Sequence, residues 1–338
     1  TKRSTLIDVA RVAGVPVTTV SDVINRRTGG NVRISDDTRN RVWRAVEELD
    51  SRPNLAARHT RTGRSQLIGF ISDEIASTPF AVNIIKGAQS TAWQHEKMLF
   101  VINTERNKQA EREAIIALLE RHVEGIIYAT MYHRAVMPPD IIRKVPTVLL
   151  DCYCEDHSLP SITPDEVHGG LVATETLLAK GHRRVGFINV DFERHAPAAT
   201  GRLIGYQQAL AAYHIPFSEE LVRVGNTMAD QGYEHTRDLM ALADPPTAIF
   251  CGTDRTAMGA YDALKELGLR IPQDVAVIGF DNQELIAAYL RPTLSTMALP
   301  HHEMGVWAVQ HLLKHPQIQL EDPVQEKVLC PLVERESV

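Results

Sequence analysis

Three charged residues lie where apolar runs of this sequence end, and their side chains could hold a small polar molecule. Asp151 closes the run TVLLD, Asp281 follows VAVIGF, and Arg202 follows the loop behind VGFINV. An ionised carboxylate accepts hydrogen bonds from pairs of hydroxyls, and a guanidinium donates in a fixed geometry. We expect both aspartates to be ionised and to contact a neutral polyol, with Arg202 as a donor beside them.

Four further residues could complete such a site. Aromatic rings cover the apolar faces of polyols, and Phe80 in the run Thr-Pro-Phe could serve in this way. The other candidates near the ends of apolar runs are Arg106, Thr253 and His301. Asp254 precedes Arg-Thr-Ala, and this position favours a helix N-cap over a ligand.

The sequence shows no motif that supports catalysis. It contains no Ser/His/Asp or Cys/His arrangement, no glycine-rich phosphate loop and no HExxH. The four cysteines follow neither a disulfide framework nor a zinc spacing, so we expect no metal, no cofactor and a reducing cytoplasm. No apolar run approaches the ~18 residues of a membrane span, and the start TKRSTLID lacks the apolar segment of a secretory signal.

Seven apolar runs, separated by amphipathic segments, must position the candidate site. They are LIGFI (67–71), MLFVIN (98–103), GIIYA (125–129), TVLLD (147–151), VGFINV (185–190), AIFCG (248–252) and VAVIGF (275–280). Continuous apolar strands that alternate with helices predict doubly wound parallel sheets covered on both faces. Seven strands over ~270 residues exceed one such unit, so we predict an α/β core of two lobes. The predicted lobes are 65–164 with 298–323, and 165–297 with 324–338. Ligands of open sheets bind beyond the carboxyl ends of the strands, which places the candidates in a cleft between the lobes.

Residues 5–25 predict two short helices joined by a tight turn. Thr5 and Asp8 have the spacing of a capping box, Gly14 suits a helix exit, and Pro16 suits the first turn of the next helix. Val20 and its apolar neighbours face inward in the second helix, and a small polar face lies opposite. Such a face can enter a major groove, so the unit predicts helix-turn-helix, although a surface helical hairpin has the same pattern.

A third helix and the charge distribution favour the DNA-binding interpretation. Ser35 is predicted to cap this helix, and Val42, Ala45, Val46 and Leu49 form its apolar stripe. Residues 1–64 hold 13 basic and 7 acidic residues, a net charge of +6, whereas the remainder holds 23 and 35, a net charge of −12. A basic head on an acidic body is typical of a phosphate-binding module attached to a larger domain.

Three runs of this sequence resemble the lactose-repressor (LacI/GalR-type) family of bacterial transcriptional regulators. The family patterns DVAxxAGVSxxTVSRVxN, SxxTRxRVxxAxxxL and PNxxARxL are matched here by DVARVAGVPVTTVSDVIN, SDDTRNRVWRAVEEL and PNLAARHT. The resemblance implies an all-α helix-turn-helix domain (1–52), a hinge helix (53–64) and a two-lobed periplasmic-binding-protein-like core (65–338) for effector binding and dimerisation. The sequence runs STPF, EGIIYATM, IPQDVAVIGFDN and LPH are most similar to those of repressors of sucrose operons.

The resemblance and the exposed helix face together suggest which residues bind DNA. They are Thr5, Val17, Thr18, Thr19, Ser21, Asp22, Asn25, Asn54, Ala57, Arg58 and Thr60. Three departures from the family fall in this DNA-binding head. Asp22 replaces an arginine that would read guanine, and a carboxylate can only accept, most simply from cytosine N4. Thr60 replaces the leucine that family hinges insert into the minor groove, and threonine is a poorer wedge. Ser51 also replaces the usual tyrosine before the hinge.

The resemblance further implies that Phe80, Asp151, Arg202 and Asp281 contact an effector, and that the protein is a homodimeric repressor of double-stranded operator DNA. We expect the effector to be a small sugar, with sucrose or a related fructose-containing sugar as the first candidate. The alternatives are a non-catalytic soluble sugar-binding protein, a regulator that responds to a non-sugar metabolite, and a sugar-processing enzyme. The basic head disfavours the first of these, and the missing catalytic motif disfavours the last.

Overall fold

The computed structural model describes residues 5–24, 34–49, 65–77, 81–318 and 321–338. The chain divides into two compact units, Thr1–Ser65 and Gln66–Val338. Each unit is described below by itself.

The first unit contains three helices, α1 (Leu6–Ala13), α2 (Val17–Ile24) and α3 (Asp36–Glu48). The predicted capping box is confirmed, because the Thr5 side chain accepts from the Asp8 amide while the Asp8 carboxylate accepts from the Thr5 amide. Gly14 ends α1 at a φ of +65°, and Ser35 caps α3, both as predicted. Val9, Val20 and Val42 are fully buried at the centre of the unit. Leu6, the first residue of α1, is 40% exposed.

The second unit contains two six-stranded sheets. The first has the order β11-β5-β4-β3-β1-β2, and every pairing in it is parallel. Its strands in chain order are β1 (Leu67–Ser72), β2 (Met98–Asn103), β3 (Gly125–Ala135), β4 (Thr147–Tyr153), β5 (Ser161–Asp165) and β11 (Gln325–Leu329).

The second sheet has the order β12-β10-β9-β8-β6-β7 and is parallel except for the short edge strand β12. Its strands are β6 (Val185–Val190), β7 (Val222–Gly225), β8 (Ala248–Cys251), β9 (Ala276–Asp281), β10 (Ser295–Ala298) and β12 (Leu332–Val333). The predicted two-lobed α/β core with parallel sheets is therefore confirmed.

Helices cover both faces of each sheet. They are α4 (Val82–Gln94), α5 (Lys108–Glu120), α6 (Glu166–Ala179), α7 (Phe192–Ala212), α8 (Ala229–Met240), α9 (Asp254–Glu266), α10 (Glu284–Ala287) and α11 (His301–Lys314). Short 3-10 turns lie at Ile75–Ser77, Asp140–Lys144 and Glu219–Leu221. The central strands are buried on both faces, which explains their continuous apolar sequences, whereas the apolar edge strand β2 is partly exposed.

One predicted lobe boundary differs from the structure. The sequence assigns 324–338 to the second lobe, yet β11 pairs with β5 in the first sheet, from Gln325 opposite Ser161 to Leu329 opposite Asp165. After β11 the chain returns to the second sheet, where it forms β12. The run QEKVL is mostly polar because β11 is a half-exposed edge strand, so it lacks the apolar signal that marks the other strands. Among the described helices, none has the length and apolarity needed to cross a membrane.

Candidate functional site

The carboxyl ends of the two sheets border a cavity between the lobes. Five of the seven predicted effector residues line it, namely Asp151, Arg202, Thr253, Asp281 and His301. The first sheet also contributes Met131, Tyr132, His133 and Pro164. The second lobe contributes Val190 of β6, Thr227 and Leu299 after β7 and β10, and Ala198 and Arg255 of the helices. Phe80 lies outside the described residues. The parallel strand ends thus bring together side chains that are more than 100 residues apart in sequence.

Asp151 is a buried carboxyl group in a strained backbone position. Its φ is +57°, it is 4% exposed, and its Oδ1 finds no hydrogen-bond donor among the described residues. Burial raises the pKa of Asp151 well above its ordinary value, and the carboxylates of Glu166 and Asp73 add to the rise. Burial thus opposes the ionised form of Asp151 that we expected from the sequence. Strand β4 also continues two residues beyond Asp151, opposite a bulge in β3.

Asp281 ends β9 with a φ of +110°. Its Oδ2 accepts a hydrogen bond of 2.9 Å from Nε2 of Gln283. Burial raises the pKa of Asp281 to about 6, and the charge of Arg202 opposes that rise. Asp281 is thus ionised at pH 7.5 but titrates closer to neutrality than an exposed aspartate.

Arg202 is held by a buried partner that the sequence did not reveal. Its Nε donates to Glu166 Oε2 at 2.8 Å, and Nη1 donates to the Gly252 carbonyl oxygen. The guanidinium lies over the Phe280 ring, with 3.7 Å between Cζ and the ring centroid. Arg202 and Glu166 are 4% and 5% exposed, so the ion pair is almost fully shielded from solvent. Glu166 opens α6 directly after the N-cap Asp165, where an acidic residue is ordinary, and this hid its role.

Two glycines allow this pair to form. α6 and α7 pack so closely that a Cβ at Gly170 would lie 2.4 Å from the Arg202 carbonyl oxygen. A Cβ at Gly201 would lie 2.6 Å from Cβ of Glu166. The absence of a side chain at each position therefore brings the arginine and the glutamate into contact.

Thr253, rather than Asp254, is the N-cap of α9. Its Oγ1 accepts from the Thr256 amide at 3.1 Å and donates to the Thr227 carbonyl oxygen at 3.2 Å. Asp254 is instead fully buried and accepts from Thr296 Oγ1 and from the Gln283 amide, both at 2.6 Å. The capping interpretation of Asp254 was wrong because a threonine one residue earlier does the capping.

Arg106 does not line the cavity. Its Nε lies 3.0 Å from Glu74 Oε1, and its Cζ lies 5.8 Å from the centroid of the Tyr132 ring.

Asp73 connects this region to the cleft, since it accepts from the Met131 amide and from Arg134 Nη2, both at 2.8 Å. Asp73 is 6% exposed and follows β1, so the strand-end argument that selected the other candidates applies to it as well.

His301 opens α11 at the rim of the cavity and is 6% exposed. His133 also lines the cavity, and its buried Nδ1 has no hydrogen-bond partner among the described residues. Burial lowers the pKa of His133, which favours the neutral ring. Within the described chain, no cluster of three or more His, Cys, Asp or Glu residues could hold a metal ion.

The predicted DNA-binding face lies on α2 of the first unit. Val17 and Thr18 are exposed, whereas Thr19, Ser21 and Asp22 are half-buried. Thr5 is exposed at the start of α1. Five further predicted contacts lie outside the described residues, namely Asn25, Asn54, Ala57, Arg58 and Thr60.

Comparison with known proteins identifies both units. Residues 5–54 match the family model of bacterial regulatory proteins of the lacI family, and residues 174–338 match a periplasmic binding protein-like domain. The HTH-type transcriptional repressor PurR of Yersinia pestis is 31% identical over 342 residues, covering 99% of this chain and 97% of the relative. The PurR repressor of Photorhabdus laumondii is 32% identical with the same coverage.

Solved structures agree with these relatives. The lac repressor dimer bound to operator and the anti-inducer ONPF superposes with a TM-score of 0.78 at 28% identity, over 99% of each chain. The complex of the transcriptional regulator CelR with cellobiose gives a TM-score of 0.68 at 27% identity, over 99% of this chain and all of that one. The relatives named here are regulators of transcription, not enzymes. The chain is therefore a DNA-binding transcriptional repressor of the LacI family, with a helix-turn-helix head and a two-lobed ligand-binding core.

Proposed function

We propose that a small sugar bound between the two lobes controls the operator affinity of this repressor, with sucrose or a related fructose-containing sugar as the first candidate. The observation that carries the proposal is the convergence of Asp151, Arg202 and Asp281 on the cavity between the sheets. Carboxyl groups and a guanidinium around a partly apolar cavity suit a neutral polyol.

The polar groups of the site support a neutral ligand. Oδ1 of Asp151 has no hydrogen-bond donor among the described residues, and a sugar hydroxyl can donate to it. Burial raises the pKa of this carboxyl group, which opposes its charged form. The charge of Arg202 is already balanced by Glu166 at 2.8 Å. An anionic ligand would therefore meet a neutralised arginine, whereas a hydroxyl would supply the partner that Asp151 lacks.

The size of the cavity suggests how the ligand acts on DNA binding. Its volume is about 50 Å³, far below the roughly 300 Å³ at which ligand sites begin. A sugar can enter only if the lobes or the lining side chains rearrange. A ligand that binds one arrangement better shifts the protein toward it, and this differential affinity couples the cleft to the head.

An exposed apolar edge supports the homodimer. β2 is the edge strand of the first sheet, and Met98, Phe100 and Val101 on it are 59%, 40% and 36% exposed. Trp93, at the end of the adjoining α4, is 66% exposed. Proteins seldom leave an apolar edge strand open to water, so we infer that a second copy covers this edge.

A thermal-shift screen of the protein against sucrose, fructose, glucose, cellobiose, a nucleobase and an amino acid tests the effector. A ligand at 100 times its Kd that binds only the folded state adds about 2.7 kcal/mol to the free energy of unfolding. We expect sucrose to raise the Tm of the parent and of Asp262→Asn, which changes an exposed residue of α9. Asp281→Asn should reduce that gain to about 0.3–1.4 kcal/mol, because loss of a charge-assisted hydrogen bond weakens binding roughly 10- to 150-fold. Stabilisation by a nucleobase or an amino acid, and by none of the sugars, would instead establish a non-sugar effector.

A further inference from the structure

The loop that carries Asp281 is strained and needs support. Asp281 and Asn282 both have positive φ, at +110° and +51°, a conformation that costs non-glycine residues stability. The Gln283 amide supports the loop by donating to Asp254 at 2.6 Å, whereas the bond from the Asn282 amide to Thr296 Oγ1 is long, at 3.4 Å. The side chain of Asn282 therefore becomes important for holding the loop.

Residues 334–338, here called the strap, lie against the second sheet beside this loop. The Glu336 carboxylate accepts from the amide and the hydroxyl of Thr293, at 3.0 and 2.9 Å. Ser337 is fully buried, and its Oγ accepts from the Ser295 amide at 2.8 Å. The strap is thus a fixed support and not a loose segment.

Arg335 joins the strap to the loop. Its Nη2 donates to Asn282 Oδ1 at 2.8 Å, its Nη1 donates to the Leu294 carbonyl oxygen at 2.7 Å, and its amide donates to Ser295 Oγ at 2.8 Å. The arginine therefore fixes Asn282 relative to the sheet, and Asn282 directly follows Asp281. We propose that Arg335 is a positioning residue for effector binding, which holds Asp281 in its strained conformation through Asn282.

Arg335 acts at a distance from the ligand. It does not line the cavity, whereas Asp281 does. The proposal rests on the proposed function for the role of Asp281, but the support of the loop by the strap can be measured without any ligand. The strap also offers a matched control. Glu334 belongs to the same segment, and its exposed carboxylate pairs with Lys180 at 3.0 Å, away from the loop.

Hydrogen–deuterium exchange of the full chain tests the proposal without an effector. We expect Arg335→Ala to speed exchange in peptides that cover residues 281–287 by about 10-fold, the change expected from losing one or two hydrogen bonds. Peptides from α5 in the first lobe should keep the exchange rates of the parent, and Glu334→Ala should leave the loop unchanged. Equal acceleration throughout the second lobe, or the same acceleration in Glu334→Ala, would overturn the positioning role.

Binding of sucrose, measured by calorimetry, gives the second readout. If the parent binds sucrose, Arg335→Ala should weaken binding about 10-fold, Asn282→Ala should do the same, and the double variant should be no weaker than either. Additive losses would show that the two residues act separately and would overturn the proposal. If the parent does not bind sucrose, that candidate effector fails, while the exchange experiment still decides the role of Arg335.

Discussion

The raised pKa of Asp281 predicts that this residue destabilises the repressor at neutral pH. Because burial raises the pKa from 3.8 to about 6, the folded state binds the proton more tightly than the unfolded state. Stability therefore falls as the pH rises from about 4 to 6, and the loss is complete above pH 6. Replacing the carboxyl group with the uncharged amide of Asp281→Asn removes this cost.

The size of the effect follows from the same two values. Each pH unit corresponds to about 1.4 kcal/mol, so the difference between 3.8 and about 6 gives about 3 kcal/mol at pH 7.5. We expect a gain of roughly 1–3 kcal/mol, because the amide loses the attraction of Arg202 but can still accept from Gln283. At pH 4.5 the gain should fall to about a third, since Asp281 is then protonated in the folded state and mostly ionised in the unfolded state.

Urea unfolding of the parent and of Asp281→Asn at pH 4.5 and 7.5 measures these differences. Asp274→Asn is the control of opposite sign, because hydrogen bonds from Arg270 lower the pKa of Asp274 to about 2. That variant should lose stability at pH 7.5 and lose less at lower pH. If Asp281→Asn is less stable than the parent at pH 7.5, or gains equally at both pH values, the assigned pKa is wrong.

Three further predictions address the other parts of the molecule. Asp22→Arg should change the preferred base at one position of each half-site by about 1–3 kcal/mol, and selection on randomised operators that returns an unchanged consensus would contradict it. Arg202→Ala should cost about 3–5 kcal/mol in urea unfolding because it leaves Glu166 buried and unpaired, and Arg202→Met with Glu166→Leu should restore most of that loss. Phe100→Lys should convert the proposed dimer to a monomer in sedimentation velocity, and an unchanged sedimentation coefficient would contradict an interface at β2.

Local chemistry made the head and the strand ends predictable. The capping box of Thr5 and Asp8, the exit at Gly14 and the cap at Ser35 each depend on residues within four positions of one another. The apolar runs marked strands because parallel strands are buried on both faces, and their carboxyl ends then placed Asp151 and Asp281 beside the cavity.

The remaining features depend on contacts between distant segments, which a single sequence does not reveal. In the sequence, Glu166 is an ordinary acidic residue in the first turn of a helix. Only the close packing of two helices brings it into contact with Arg202. Arg106 follows a strand end as the other candidates do, but it pairs with Glu74 and does not line the cavity. The raised pKa of Asp151 arises from burial and neighbouring carboxylates, which only the folded chain brings together.

Operator titration with and without sucrose tests the central claim most directly. A labelled duplex selected from randomised DNA is titrated with the parent, Asp281→Asn and Asp262→Asn, and the fluorescence anisotropy gives the operator Kd. We expect one operator Kd for all three proteins without sugar. Sucrose at about 100 times the sugar Kd of the parent should change that operator Kd at least 10-fold for the parent and Asp262→Asn. The change should be several-fold smaller for Asp281→Asn, because loss of a charge-assisted hydrogen bond weakens sugar binding roughly 10- to 150-fold. An equal response of Asp281→Asn and the parent would contradict the assignment of the cleft as the site through which the sugar controls DNA binding.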